Sequence, residues 1–165
     1  MEEHREYVLR ALRAHDAEAA AALIRTAFAA QEVATDPPPS ALGETGASVA
    51  ASLAAAGQGG VGAWAGDVLA GCVMWEAQDR GLYVARLSVH PAWRGRGIAP
   101  AMIAALEAEA RARGLPRLLL STRLVLEGNR RLFARCGFVE TAQHAHPGYA
   151  HPTFVDMEKA LAGDG

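Results

Sequence analysis

The chain has 165 residues, 51% of them hydrophobic, and a formal net charge of −2. That length suits a single domain spanning 1–165, and the near-neutral balance argues against a basic nucleic-acid binder. Cys72 and Cys136 are too few and too far apart for a disulfide scaffold, the charged start MEEHREY lacks an apolar signal core, and no apolar run is long enough for a membrane span, so a cytoplasmic protein with no membrane attachment is expected.

Tyr7-Val8-Leu9 reads as a short strand. Asp16 is placed to cap a helix running to Ala29, with Ala20, Leu23, Ala27 and Phe28 at helical spacing. Residues 31–46 contain Pro37, Pro38 and Pro39 and should form an irregular loop, either a substrate lid or a plain connection. Ser48 to Ala56 predicts an alanine-rich helix closed by Gly57, Gly59 and Gly60. Val61 to Ala65 and Val68 to Glu76 follow as strands joined by a Gly66-Asp67 hairpin turn, and Leu82 to Val89 is a third.

After the loop from His90 to Gly97, Ile98, Met102, Leu106 and Ala110 share one helical face. Glu107/Arg111 and Glu109/Arg113 make outward i,i+4 pairs, Pro100 fits the first turn and Gly114 ends the helix. Leu118-Leu119-Leu120 predicts a strand covered on both sides. A helix near Glu127 to Cys136 precedes two last strands, Phe138 to His146 and Thr153 to Leu161, that pair with each other. This order predicts an α/β (α+β) domain with a mixed sheet.

The informative segment is Arg94-Gly95-Arg96-Gly97-Ile98-Ala99, between a strand end and a helix start. Unpaired N–H groups at a helix N-terminus, glycines and two arginines together suit a pyrophosphate. A P-loop would need Gly-x-x-x-x-Gly-Lys-Ser/Thr, which is absent. A dinucleotide fingerprint fits poorly, because Pro100 stands at its third glycine position and the strand ends several residues earlier.

Val89-His90-Pro91-x-Trp93-Arg94-Gly95-Arg96-Gly97-Ile98-Ala99 resembles motif A of the Gcn5-related N-acetyltransferases, whose Arg/Gln-x-x-Gly-x-Gly/Ala signature is met by Arg94, Gly97 and Ala99. Leu132-Phe133-Ala134-Arg135-Cys136-Gly137-Phe138 resembles their motif B. The resemblance implies the acyl-CoA N-acyltransferase fold, a splayed sheet of about six to seven strands with about four helices. It also implies acetyl-CoA as co-substrate, an amine acceptor and no metal, and it allows a homodimer. The gap would lie between the Leu82–Val89 and Leu118–Thr122 strands. The pantetheine arm would run along Leu87, Ser88 and Val89, and the pyrophosphate would meet the backbone of Gly95 to Ala99 beside Arg94.

Two departures bear on the chemistry. The family commonly has a proton-donating tyrosine where this chain has Phe133, and its asparagine position holds Leu126. Asn129, one helical turn before Phe133, either contacts the cofactor arm or decorates the helix. Positions where some members keep a carboxylate hold Tyr83 and Ser121, which would hold a water that passes the amine proton outward; catalysis then depends mainly on positioning and on polarisation of the thioester carbonyl. His144, His146 and His151 with Tyr149 read as a metal site, a substrate-pocket wall or plain surface. The alternative to an enzyme is an acyl-CoA-binding or sensing module, which Phe133 favours. The acids Glu32, Asp36 and Glu44 of the 31–46 loop give only a weak hint of a cationic acceptor.

Overall fold

The computed structural model describes residues 6–31 and 33–162; the charged start and Glu32, noted above, fall wholly or partly outside them. The elements, in order, are β1 (Val8–Ala11), α1 (Ala17–Ala29), α2 (Gly46–Ala54), β2 (Gln58–Ala65), β3 (Val68–Gln78), β4 (Gly81–Val89), α3 (Ile98–Ala112), β5 (Arg117–Arg123), α4 (Glu127–Arg135), β6 (Val139–His144) and β7 (Phe154–Ala160). The seven strands form one mixed sheet in the order β1-β2-β3-β4-β5-β7-β6. All neighbours are antiparallel except β4 and β5. Parallel neighbours need a crossover, and α3 supplies it.

The helices divide between the two faces. Ile98, Met102, Ile103, Leu106 and Ala110 of α3 and Phe133 of α4 pack on Val73, Leu82, Val84, Leu118, Leu120 and Met157. On the other face Ala20, Leu23 and Ile24 of α1 and Val49 of α2 cover Leu69, Cys72 and Met74. The predicted α3 stripe is thus the buried one, and its outer pairs form as expected, Arg113 Nε lying 2.9 Å from Glu109. Ala20 and Ala21 are fully buried; side chains this small let α1 lie close against the sheet. Among the described residues no helix is long and apolar enough to cross a membrane.

Three local expectations are corrected. Asp16 precedes α1 but makes no cap bond to it. Its carboxylate instead accepts from the Arg13 N–H at 2.8 Å and from Arg10 at 3.2 Å, closing the short turn before the helix. The cap that does form is Thr45 on α2, which exchanges bonds with Ser48, so that helix starts two residues earlier than its alanine run suggested. Gly59 and Gly60 do not close α2. They lie in β2, where a Cβ would stand 2.5 Å from the Trp75 ring and 2.8 Å from Leu12 respectively.

Candidate active site at the opening of the sheet

β4 feeds the glycine loop directly. The His90 ring accepts the Ala92 N–H at 3.1 Å, which fixes a tight turn over Pro91–Trp93. Gly95 and Gly97 then take φ of +77° and +80°, a region that costs a side-chain-bearing residue strain. A Cβ at Gly95 would meet nothing within 4 Å, so backbone conformation and open approach, rather than tight packing, call for glycine here. Among the described residues no backbone acceptor in the chain takes the N–H groups from Arg94 to Ala99, and no acid sits in the first turn of α3. Ile98 and Ala99 are buried while Arg94, Gly95, Arg96 and Gly97 are exposed. Arg96 is partly committed, pairing with Glu6 and lying 4.6 Å over the Trp93 ring. This row of free donors at a positive helix end fits a pyrophosphate.

Beside the loop the sheet opens. β4 and β5 pair only at Leu82↔Leu118 and Tyr83↔Leu119 and then diverge. A cleft of about 740 Å³ fills the divergence, walled by Leu87, Leu120, Leu126, Asn129 and Phe133 towards α4. Here β4 carries a bulge, with Arg86 and Leu87 set against the single residue Val73 of β3. Arg86 has φ of +56°. Ser88 is 2% exposed, and its hydroxyl donates to the Arg86 carbonyl at 2.9 Å. Its side chain therefore supports the bulge, and only its backbone is left for a cofactor. Val89 lies past the cleft wall, next to the glycine loop. Phe133 is buried against Phe138, ring centres 5.8 Å apart, with no titratable proton.

Tyr83 and Ser121 line the same cleft on the side of α1 and α2. Ser121 Oγ donates to Asp156 Oδ1 at 2.8 Å, and Asp156 Oδ2 lies 2.7 Å from His144 Nε2. Asp156 escaped the sequence reading; its cue is the cross-strand register of β5 with β7, which places it opposite Ser121. Glu76, opposite Tyr83 on β3, also lines the cleft, whereas Glu127 is exposed and pairs at 3.9 Å with Arg131.

The 31–46 loop walls this side of the cleft through Gln31, Pro39, Ser40 and Glu44. Glu44 binds Arg86 Nε at 2.9 Å and accepts from Ser48 at 2.5 Å, and its carbonyl accepts from Arg25 at 2.7 Å. Arg123 donates to the Pro37 carbonyl at 2.6 Å and the Pro38 carbonyl at 3.4 Å, and Tyr149 donates to Asp36 at 2.6 Å. The loop is thus a strap tied to both sides of the opening. The histidines separate in role. His144 goes to Asp156, while His146 lines the cleft and bonds to Thr153. Burial, with the nearby Arg123 charge, holds His146 below the usual imidazole range, so it is neutral at pH 7. His151 stacks edge-on near Tyr149. Among the described residues no three His, Cys, Asp or Glu side chains gather to hold a metal ion.

The resemblance to other proteins follows the same geometry. A Gcn5-related N-acetyltransferase from Rhodopseudomonas palustris superposes with a TM-score of 0.76 at 24% identity, over 94% of this chain and 96% of that one. YncA from Salmonella typhimurium, solved with acetyl-CoA, gives 0.72 at 18% identity over 96% of both chains. The ribosomal-protein-S18-alanine N-acetyltransferase of Escherichia coli gives 0.73 at 18% identity over 96% and 97%. No curated protein matches the sequence significantly. Residues 20–138, from α1 through the glycine loop to the end of motif B, match the acetyltransferase (GNAT) family, and the chain belongs to it.

Proposed function

We propose that the protein transfers an acetyl group from acetyl-CoA to an amine by direct attack of the neutral amine on the thioester carbonyl. One observation carries this reading: the sheet opens beside the free N–H row of the glycine loop, and one cleft joins that opening to Tyr83 and Ser121. Residues 94–99 would hold the pyrophosphate through the backbone, with Arg94 adding charge. The backbone of Leu87, Ser88 and Val89 would face the pantetheine arm, and Asn129 and Phe133 would flank it. A thioester carbonyl placed against the unpaired β4 backbone would be polarised there.

A lysine-type amine, with pKa about 10.4, must lose a proton before it attacks. Ser121, taking that proton through a water and passing its own to Asp156, would send it out along Asp156 and His144. Tyr83 would hold the same water from β4. Phe133 has no proton to give the departing thiolate, so solvent or the acceptor supplies it. Phe133 also favours a second reading, a binding module that holds acyl-CoA with little transfer.

Calorimetry with acetyl-CoA and desulfo-CoA, with Gly97→Trp as control, separates these readings when combined with thiol release over an amine panel. Micromolar binding lost in the variant, with release above hydrolysis, supports transfer. Binding without release selects the sensor, and no binding removes both. Unchanged turnover in the Tyr83→Phe, Ser121→Ala double variant would remove the water-relay role.

A further inference from the structure

The two arginines of the acceptor side differ. Arg86 is neutralised by Glu44. Arg123 is half-buried in the cleft wall, and among the described residues it makes no ion pair; its bonds go to the carbonyls of Pro37 and Pro38. Asp36, on the same strap, is turned to the Tyr149 hydroxyl. A guanidinium has five N–H donors in a fixed fork, so carbonyl bonds leave both donors and charge unspent. Burial accordingly draws Arg123 below the usual guanidinium range, with Tyr149 and Asp36 opposing this only in part. A half-buried cation with spare donors in a ligand cleft is one that an anion would complete.

The charges along the cleft are also ordered. Glu76 faces Tyr83, at the end where β4 and β5 still pair. Arg123 lies four residues beyond Leu119 on β5, about 13 Å further along the strand. Ser121 stands between, about 7 Å from Arg123 along the same edge. His146, held below the usual imidazole range, adds no charge beside Arg123, and the carboxylate that acts on Arg123 is Asp36, whose Oδ1 takes the Tyr149 hydroxyl.

We infer that the acceptor is an amino acid in the broad sense, a small amine bearing a carboxylate or like anion on a short spacer, and that Arg123 binds the anion while the amine lies near Ser121. This rests on the amine-acetylation reading and narrows it. It runs against the cationic acceptor hinted at by the acids of the 31–46 loop, because Glu44 is paired with Arg86 and Asp36 is turned to the Tyr149 hydroxyl.

The test uses the whole protein with desulfo-CoA bound. Calorimetry compares glycine, β-alanine, 4-aminobutanoate and 6-aminohexanoate with their primary amides, and thiol release from acetyl-CoA compares the same pairs. At the best spacing the acid should exceed its amide by about 10- to 100-fold, the range of one charged hydrogen-bonded contact. Arg123→Gln should erase that preference, bringing each acid within about threefold of its own amide in the same variant. Arg123→Lys keeps the charge but not the fork, so it should retain part of the preference. Amides equal to acids at every spacing, or a preference that survives Arg123→Gln, would overturn the inference. Failure of acetyl-CoA itself to bind would instead sink the transferase reading, and that is read first.

Discussion

The two ends of the cleft are built by different means. The glycine-loop end offers a ligand backbone: N–H groups from Arg94 to Ala99, two glycines at positive φ and a helix end. The acceptor end is built from side chains brought together from distant parts of the chain, with Arg86 on Glu44, Arg123 on Pro37 and Ser121 on Asp156. A site made of backbone can serve one shared ligand part across many sequences. A site made of side chains can be retuned residue by residue. The family's common co-substrate and its varied acceptors fit that division.

Substitutions can break the comparison. The largest effect should come from Gly97→Trp, which forces a bulky residue to φ of +80° in the cradle. Acetyl-CoA affinity should fall about 100-fold or more with the fold intact, since a Cβ there meets only the Tyr7 hydroxyl at 3.9 Å; calorimetry and circular dichroism read the two parts. Asp156→Asn should lower kcat about tenfold or more, within the range of acid–base contributions, and leave acetyl-CoA binding unchanged. Steady-state kinetics on both substrates checks this. Glu44→Gln should raise KM for the amine several-fold by weakening the hold of the strap on Arg86, again sparing the co-substrate; equal loss on both substrates would mean that the two ends are not separable.

The smallest effect is spectroscopic. In an NMR titration His146 should protonate below the ordinary value of about 6.5, and Arg123→Gln should move it upward. The sign for stability follows. The unfolded imidazole takes its proton first as pH falls, so the contribution of His146 is fully present above the unfolded value and is lost from there down through the lower folded value.

The same division explains what the sequence disclosed. The glycine loop, the α3 stripe and the buried Leu118–Leu120 run are local patterns, and each appears where expected. The position of the sheet opening followed from the family resemblance of that loop. Asp156 was not legible, because it lies 35 residues from Ser121 and only the β5–β7 register joins them. The sequence does not decide between lid and connection for residues 31–46 for the same reason: the anchors Arg86, Arg123 and Tyr149 lie 42 to 113 residues away from their partners. Asp16 was misread because capping depends on where a carboxylate points, and here the Arg13 N–H competed for it.

The brief pairing of β4 with β5 leaves rungs of the parallel ladder unmade in the middle of the sheet. A pantetheine arm laid along β4 would act as a surrogate strand, so binding and the completion of the architecture become one event. Co-substrate and heat then pull on the same equilibrium: at a hundred times its dissociation constant, acetyl-CoA should add about 2.7 kcal/mol to the unfolding free energy. Amide exchange should slow first along Val84 to Val89, so the strand that lacks a partner becomes the one that reports the co-substrate.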